Sequence, residues 1–196
     1  MSLVKNIKYL LTFIYHPIVF CGLHRHGSKN FIIGKRGRIN TIKGISIGSG
    51  TELGYDSRII MIKNYAGGAY KPECSIGKNV SIANRFTVIC ASKVKIEDDN
   101  LIASDVCITS HNHGINPEDK ESYALEPLTE APVTIKNGCW IGEKVVILPG
   151  VTIGERCIIG AGSIVTRSIP PYSMAVGNPA RVIKQWDTTK KEWVKI

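Results

Sequence analysis

The sequence predicts an all-β fold built from one coil of short parallel strands. In residues 133–167 an aliphatic residue recurs at every sixth position. Small or β-branched residues stand four positions after these aliphatics, and glycines directly follow several of them. A period of six belongs neither to a half-buried strand nor to an amphipathic helix, so it indicates a repeat architecture. The aliphatic residues that recur six apart without a miss in residues 133–167 are Ile135, Ile141, Ile147, Ile153, Ile159 and Val165.

Each hexapeptide is predicted to form one short strand and one corner, so three hexapeptides complete a coil. Eighteen residues then stack Ile153 over Ile135. Successive coils are expected about 4.8 Å apart, the spacing of hydrogen-bonded strands. The aliphatics would form ladders inside a dry core, while glycines allow corners that a side chain would obstruct.

The same period continues towards the N-terminus with interruptions and two-residue slips, as between the Ile33–Ile39–Ile45 run and the run that begins at Ile47. Insertions between repeats become loops on the outside of such a coil. The sequence therefore predicts an N-terminal helical segment over residues 1–30, a β-helix domain over 31–169 with loops at about 64–73 and 110–131, and a C-terminal tail with a short helix over 170–196.

Composition places the chain among ordinary globular proteins, with 196 residues, 43% hydrophobic and 21% charged. The net charge of +9 suits an acidic cosubstrate, an anionic membrane surface or a polyanion. No basic motif interleaved with aromatic residues occurs, so we expect no nucleic acid partner. The six cysteines show no metal-ligand spacing, which favours reduced, buried thiols in a cytosolic protein.

The N-terminal segment carries apolar residues at helical spacing, from Leu3 and Ile7 to Ile14 and Ile18, with Lys5 and Lys8 among them. One interpretation is a helix, limited by Pro17, that packs against the end of the coil. The other is an interfacial helix, residues 1–20, that holds the protein peripherally at the cytoplasmic membrane. The apolar run is too short and interrupted for a spanning helix.

Two histidines, His111 and His113, stand at the base of the 110–131 loop. A lone histidine is usually structural, but two at the root of an excursion from a rigid scaffold favour proton-transfer chemistry near neutral pH. A metal site is a weaker interpretation, because neither histidine has a second histidine five residues later. We therefore expect no metal.

Three segments resemble the maltose/galactoside O-acetyltransferase branch of the hexapeptide-repeat acyltransferases. They are ASDVCITSHNHG, then PVTIKNGCWIGEKVVILPGVTIGERCIIGAGSIVTRSIPP, then VGNPARVIK. The match covers about residues 76–184 and is most similar to the acetyltransferases of surface-polysaccharide assembly. The resemblance implies a left-handed coil, a homotrimer, and acetyl-CoA as cosubstrate in a groove between neighbouring subunits.

The resemblance also implies roles for individual residues. His113 matches the family's catalytic base, and His111 is its neighbour in the acceptor site. Trp140 matches a tryptophan that forms a wall of the family's active site. Ala161 matches a position that contacts the cosubstrate through its backbone. The positions that match CoA-contacting residues are Gly142, Thr166, Arg167, Arg181 and Lys184.

The acceptor side maps less cleanly onto the family. Asn84 is the candidate acceptor-binding residue, and Glu143 stands where the galactoside enzymes carry a serine at the reacting centre. The 64–73 loop, with its tyrosines, suits either a sugar-contacting flap or a tolerated surface insertion.

The resemblance therefore implies an acetyl-CoA-dependent O-acetyltransferase that modifies a sugar hydroxyl by direct transfer, as a step of surface or capsular polysaccharide synthesis in the cytoplasm or at its membrane face. A streptogramin-type antibiotic acetyltransferase is the alternative enzyme. A non-catalytic β-helix binding protein would be expected to lack the histidine or the cofactor-binding tail, and this chain has both.

Overall fold

The chain forms a coil of short parallel strands that stack into three sheets, as seen in a computed structural model that describes residues 3–118 and 122–196. Each turn of the coil contributes one strand to each sheet in the same order. We call the edge between the first and second sheets the first corner, and the edge between the second and third sheets the second corner. The fold is mostly β with parallel sheets, as predicted, and the handedness of the coil stays a prediction.

The strands are two to eight residues long. The first sheet contains Ile32–Ile33, Glu52–Leu53, Ser81–Ile82, Leu101–Ile102, Trp140–Ile141, Ile158–Ile159, Ser173–Gly177, Ala180–Asp187 and Glu192–Lys195. The second contains Arg38–Ile39, Arg58–Met61, Thr87–Cys90, Cys107–Thr109, Val146–Ile147 and Ile164–Val165. The third contains Ile45–Ile47, Glu73–Ile76, Lys93–Ile96, Val133–Ile135 and Thr152–Ile153.

The predicted stacking register is confirmed in the C-terminal coils, where Ile135 pairs with Ile153 eighteen residues later. The N-terminal coils are longer, since Ile33 pairs with Leu53 twenty residues later. The third-sheet strands Ile45–Ile47 and Lys93–Ile96 each bury two aliphatic residues, whereas Thr152–Ile153 buries only Ile153. The two-residue slips in the sequence therefore fall within these longer third-sheet strands.

The repeated aliphatics form the core. All six that define the period in residues 133–167 are no more than 1% exposed. Apolar burial of this kind is the main term that favours folding. All six cysteines are free thiols, four of them buried in this core.

The N-terminal segment forms two helices, α1 (Leu3–Tyr15) and α2 (Pro17–Arg25), bent by 107° at His16. They cover the first coil through Leu23, which is fully buried, and through Thr12, whose hydroxyl accepts a hydrogen bond from Ile33 N at 3.1 Å. Within the described residues no single helix is long and apolar enough to span a membrane. Taken together, the two helices of the bent pair have the required length and apolar composition.

The predicted apolar face of α1 does not pack on the coil. Its large side chains remain 51–76% exposed, and Ile18 at the start of α2 is 83% exposed. The helix instead contacts the coil through its opposite side, where Lys8 pairs with Glu52 at 3.0 Å. The exposed stripe consists of Leu3, Val4, Ile7, Leu10 and Ile14.

The predicted C-terminal helix is wrong, because residues 173–195 form three strands. Ser173–Gly177 extends the first sheet in parallel, and Ala180–Asp187 and Glu192–Lys195 then follow antiparallel. A parallel sheet that ends at Ile158–Ile159 leaves an unpaired edge, which these strands cover. The β-branched residues and the Trp186–Trp193 pair, with ring centroids 5.5 Å apart, favour a strand pairing over a helix.

Two short hairpins interrupt the coil where the sequence predicted loops. Asn64–Tyr65 pairs with Gly68–Ala69, and His111–Asn112 pairs with Thr129–Glu130. We call residues 110–131 the histidine loop; residues 119–121 lie outside the described part of the chain. Both excursions leave the coil after second-sheet strands, so they lie at the second corner.

Replacing one inward aliphatic should test the ladder. Ile147 is fully buried, so Ile147→Ala should lower the free energy of unfolding by about 2–5 kcal/mol, measured by urea denaturation. Thr152→Ala, on an exposed position of a neighbouring strand, should change it by less than about 0.5 kcal/mol. Equal effects of the two substitutions would contradict a core organised by the inward ladder.

Candidate active site

The first corner carries a ladder of alternating charge. In each coil this corner is four residues long, and the third of these residues has a positive φ. In five successive coils that residue is charged, with φ between 57° and 63°. Arg36 binds Asp56, and Arg85 binds Asp105, each through two hydrogen bonds of 2.6–2.7 Å. The arginine in each pair holds the pKa of its aspartate below the ordinary value, chiefly by hydrogen bonding. The ladder consists of Arg36, Asp56, Arg85, Asp105 and Lys144.

Asn84 lies in this corner with its side chain fixed on one side. Its Oδ1 accepts a hydrogen bond from Tyr55 N at 2.9 Å. Among the described residues its amide nitrogen has no hydrogen-bond partner, so two N–H donors are open to a ligand. This geometry suits recognition of a hydroxyl or ether oxygen.

Gly142 and Ala161 stack directly on each other at the same corner, two coils beyond Asn84. A Cβ on Gly142 would lie 2.6 Å from Ala161 N, so the close approach of the coils requires glycine here. Ala161 is exposed, and Gly162 after it has open space on its Cβ side. Glu143, also exposed, accepts a hydrogen bond from Gly162 N through its carbonyl at 2.7 Å. The corner thus presents a narrow backbone shelf that fits a slender acyl-carrying arm.

Arg181 and Trp140 flank this shelf. Arg181 pairs with Val176, whose side chain packs against Gly160, so Arg181 lies two strands beyond the coil that carries Ala161, and its side chain is exposed. Trp140 is 52% exposed on the outward face of the first sheet. Lys184 pairs with Met174, which continues the same row of the sheet as Trp140. A fixed cation and an exposed aromatic face therefore border the shelf.

The histidines lie at the second corner. His111 is half-buried, and Thr109 Oγ1 lies 3.3 Å from its Nδ1. Burial lowers the pKa of His111, and the nearby His113 lowers it further. The hairpin pairing of His111 with Glu130 fixes its backbone at the root of the histidine loop.

His113 is exposed and lies beside an aromatic ring. Its imidazole meets Tyr65 edge-on at 5.2 Å between ring centroids, and His111 lies at 6.5 Å. Of the two histidines, His113 is therefore the one whose ring is open to a bound molecule. Thr166 and Arg167, also exposed, follow the second-sheet strand Ile164–Val165 and so lie at the same corner.

Two tyrosines of the 64–73 insertion hold the histidine loop in place. Tyr65 donates its hydroxyl hydrogen to Ala124 O at 2.7 Å, and the Tyr70 hydroxyl accepts from Leu128 N at 2.6 Å. Neither sequence interpretation of the 64–73 loop, a sugar-contacting flap or a tolerated surface insertion, included this contact between insertions. One feature could have indicated the contact: both insertions follow second-sheet strands and so leave the coil at the same corner.

Glu126 was also missed from the sequence. It is 7% exposed inside the histidine loop and packs against Gly114, which follows His113. Its Oε1 has no hydrogen-bond partner among the described residues. A buried carboxylate oxygen without a partner is costly, so Glu126 belongs among the residues to be tested with the histidines.

The predicted site residues therefore form two groups at opposite edges of the second sheet. The strand from Asp105 to Ser110 spans roughly 16 Å between them. His111, His113, Thr166 and Arg167 lie at the second corner, and the remaining candidates lie at or near the first. Among the described residues, no group of three or more His, Cys, Asp or Glu side chains could hold a metal ion.

The tyrosine support can be tested by amide hydrogen exchange in residues 122–130. Tyr65→Phe removes one hydrogen bond, about 1 kcal/mol, and should speed exchange about fivefold. Tyr65→Ala also removes the ring beside His113 and should speed it further. Tyr123→Ala, which alters an exposed tyrosine of the same loop, is the matched control. Unchanged exchange in Tyr65→Ala would contradict a supporting role.

The sequence was compared with known families and proteins. Residues 132–167 match the family described as bacterial transferase hexapeptide (six repeats). Galactoside O-acetyltransferase of Escherichia coli K12 is 38% identical over 125 residues, which cover 64% of this chain and 60% of that protein. A putative lipopolysaccharide biosynthesis O-acetyl transferase of the same organism is 37% identical over 60% of this chain and 63% of its own length. The matched region thus spans about three fifths of these relatives.

Among solved structures, galactoside acetyltransferase in complex with coenzyme A superposes with a TM-score of 0.60 and 27% sequence identity. The superposition covers 100% of this chain and 91% of that one. It therefore includes the N-terminal helices and the C-terminal strands as well as the repeats. The repeat family, the two relatives and this structure together confirm that the chain resembles the hexapeptide-repeat O-acetyltransferases of the galactoside type.

Proposed function

We propose that this protein is an acetyl-CoA-dependent O-acetyltransferase that transfers an acetyl group to a sugar hydroxyl. The observation that carries the proposal is that one scaffold, which superposes on a coenzyme A complex, presents both an exposed histidine, His113, and a backbone shelf at Gly142 and Ala161. We place the reaction in the synthesis of surface or capsular polysaccharide at the cytoplasmic side of the membrane. The relative named for lipopolysaccharide biosynthesis supports this choice.

His113 acts as the general base in this proposal. Its neutral imidazole takes the proton of the acceptor hydroxyl as that oxygen attacks the acetyl carbonyl. The C–S bond then breaks, and the imidazolium gives its proton to the departing thiolate. The acetyl group thus moves directly from sulfur to oxygen without a covalent intermediate on the chain. Asn84 orients the acceptor through its open amide N–H groups.

The cosubstrate lies along the first corner. Ala161 offers its backbone groups to the pantetheine arm. These groups are accessible because no side chain projects from Gly142 beside them. Arg181 and Lys184, with Thr166 and Arg167 from a second subunit, meet the phosphates, since fixed cations bind oxyanions by charge-assisted hydrogen bonds. Trp140 supplies an apolar wall. Glu143 stands where the galactoside enzymes carry a serine at the reacting centre.

We infer that the active form is a homotrimer, because one chain holds its histidines and its shelf at opposite edges of a sheet. Packing the coil of one subunit beside that of its neighbour would bring the second corner of one chain against the first corner of another. The outward face of the second sheet supports this arrangement: Val146 and Ile164 are half-buried apolar residues there, whereas the third sheet presents Ser46, Lys95 and Thr152. An apolar face of this kind suits contact with another subunit.

The base assignment predicts unequal effects of the two histidines. His113→Ala should lower kcat by about 10²–10⁴ because it removes the general base. His111→Ala, which removes a positioning contact of about 1 kcal/mol, should cost about fivefold. Steady-state kinetics with acetyl-CoA and a neutral sugar measure both effects, and the reverse ranking would move the base to His111.

We further propose that the exposed stripe of α1 rests on the membrane surface. Its leucines and isoleucines would bury apolar area in the lipid interface. Lys5 and Lys8 lie 3.7 and 3.0 Å from Glu52 oxygens, so the apolar contact rather than these cations supplies most of the binding. Because Thr12 is buried against the coil and accepts a hydrogen bond from Ile33 N, deletion of residues 1–20 would damage the fold, and point substitutions are the better test.

Ile7→Ser combined with Ile14→Ser should weaken binding to phosphatidylglycerol vesicles by at least about tenfold, since each buried isoleucine contributes about 1.5–3 kcal/mol. Cosedimentation measures the binding, and transfer to a soluble acceptor should persist. Ile196→Ser, which changes a residue that is 69% exposed at the C-terminus, is the matched control. Equal binding by all three proteins would exclude the stripe as the membrane contact.

A further inference from the structure

The outward row of the second sheet changes character along the coil. In register it reads Arg38, Arg58, Thr87, Cys107 and Val146, so two arginines occupy the N-terminal end and apolar residues the other. The arginines open onto a groove of about 600 Å³ that Arg36, Asp56, Arg85 and Asp105 also line. We call it the arginine groove.

Charge in the arginine groove is not balanced by the protein. Arg36 and Arg85 are each paired with an aspartate of the first corner. Arg38 and Arg58 have no carboxylate within ion-pair distance among residues 3–118 and 122–196, and Arg58 donates only to Thr87 Oγ1, at 3.3 Å. Four arginines and two aspartates leave a net charge of about +2.

The two unpaired arginines lie directly opposite each other on adjacent coils. Strand neighbours are about 4.8 Å apart, and like charges in this position destabilise a sheet. The arrangement becomes favourable when an oxyanion accepts hydrogen bonds from both guanidinium groups. Asp56 already binds Arg36, and Asp105 binds Arg85, so both carboxylates of the groove have their hydrogen bonds directed to the flanking arginines.

The groove lies next to the candidate acceptor residue. Arg85 follows Asn84 directly, and Arg36 lines both the arginine groove and a second groove of about 430 Å³ beneath α1. Asn84 also lines the second groove, together with Tyr15 and Tyr55, whose faces suit stacking on a sugar ring. A sugar near Asn84 and a phosphate at the arginines would therefore occupy neighbouring positions.

We propose that Arg38 and Arg58 bind the phosphate of a glycan acceptor that is esterified to a diphosphate, carried either by a nucleoside or by a lipid. This inference rests on the proposed function for the identity of the acceptor, but the phosphate site itself does not depend on catalysis. It extends the acceptor site beyond the sugar. A free neutral sugar would leave both arginines without a partner.

Binding of inorganic pyrophosphate to the full-length protein, measured by isothermal titration calorimetry, tests the site without any transfer. The double substitution Arg38→Gln, Arg58→Gln should weaken binding at least about tenfold, since each hydrogen bond from a charged group is lost. Arg156→Gln, an exposed arginine at the corner between the third and first sheets, is the matched control and should bind as the wild type does. Circular dichroism melting verifies that both variants fold.

Two further arms assign the source of the phosphate. Uridine diphosphate that binds more tightly than pyrophosphate, in a way that needs both arginines, indicates a nucleotide-linked acceptor. Recruitment to neutral vesicles that contain polyprenyl diphosphate, with the same dependence, indicates a lipid-linked one.

The proposal is overturned if the wild type fails to bind pyrophosphate at millimolar concentration, or if the double variant binds as the wild type does. It is also overturned if the double variant dissociates in sedimentation velocity, because the arginines would then be subunit contacts. Failure of acetyl transfer to any sugar, with pyrophosphate binding intact and arginine-dependent, would refute the proposed function and leave the phosphate site standing.

Discussion

Stacking of each coil on the one before it constrains where every side chain of this protein can point. The inward aliphatics pack at strand spacing, and a shift by one residue would turn a core position outward. Equivalent positions of successive coils therefore line up in rows on the surface. The alternating Arg36–Asp56–Arg85–Asp105 ladder and the Arg38–Arg58 pair are two such rows. A rigid core thus arranges chemistry on an otherwise regular exterior.

The same constraint separates the candidate catalytic groups within one chain. Both insertions leave the coil at the second corner, and Tyr65 and Tyr70 brace the histidine loop there. The shelf and Asn84 belong to the first corner, across the width of a sheet. Chemistry between His113 and a molecule on the shelf consequently calls for two chains, which links the proposed trimer to the proposed mechanism.

The inward residues could be predicted from sequence because burial imposes a strict period, and Ile135 over Ile153 followed from counting. The two-residue slips were visible, but their cause, third-sheet strands with two inward side chains, became clear only from the strands of the structure. The C-terminal strands were missed because sheet-edge pairing is a tertiary effect that local sequence around Arg181 does not encode. The supporting contacts of Tyr65 and the burial of Glu126 arise between loops, where no period applies. The exposed face of α1 was predicted as apolar, but the direction it faces was left open.

The central claim is that each active site combines the second corner of one chain with the first corner of another. His113→Ala removes the proposed base, and Ala161→Asp places a carboxylate on the exposed shelf proposed to hold the cosubstrate, so each variant alone should be inactive. The direct measurement is the acetyltransferase activity of hybrid trimers refolded from an equal mixture of the two. Random assembly pairs an intact histidine with an intact shelf at about a quarter of the sites, so activity should return to about that fraction of the wild type. Hybrid trimers as inactive as the single variants would show that the site lies within one chain and would contradict the account.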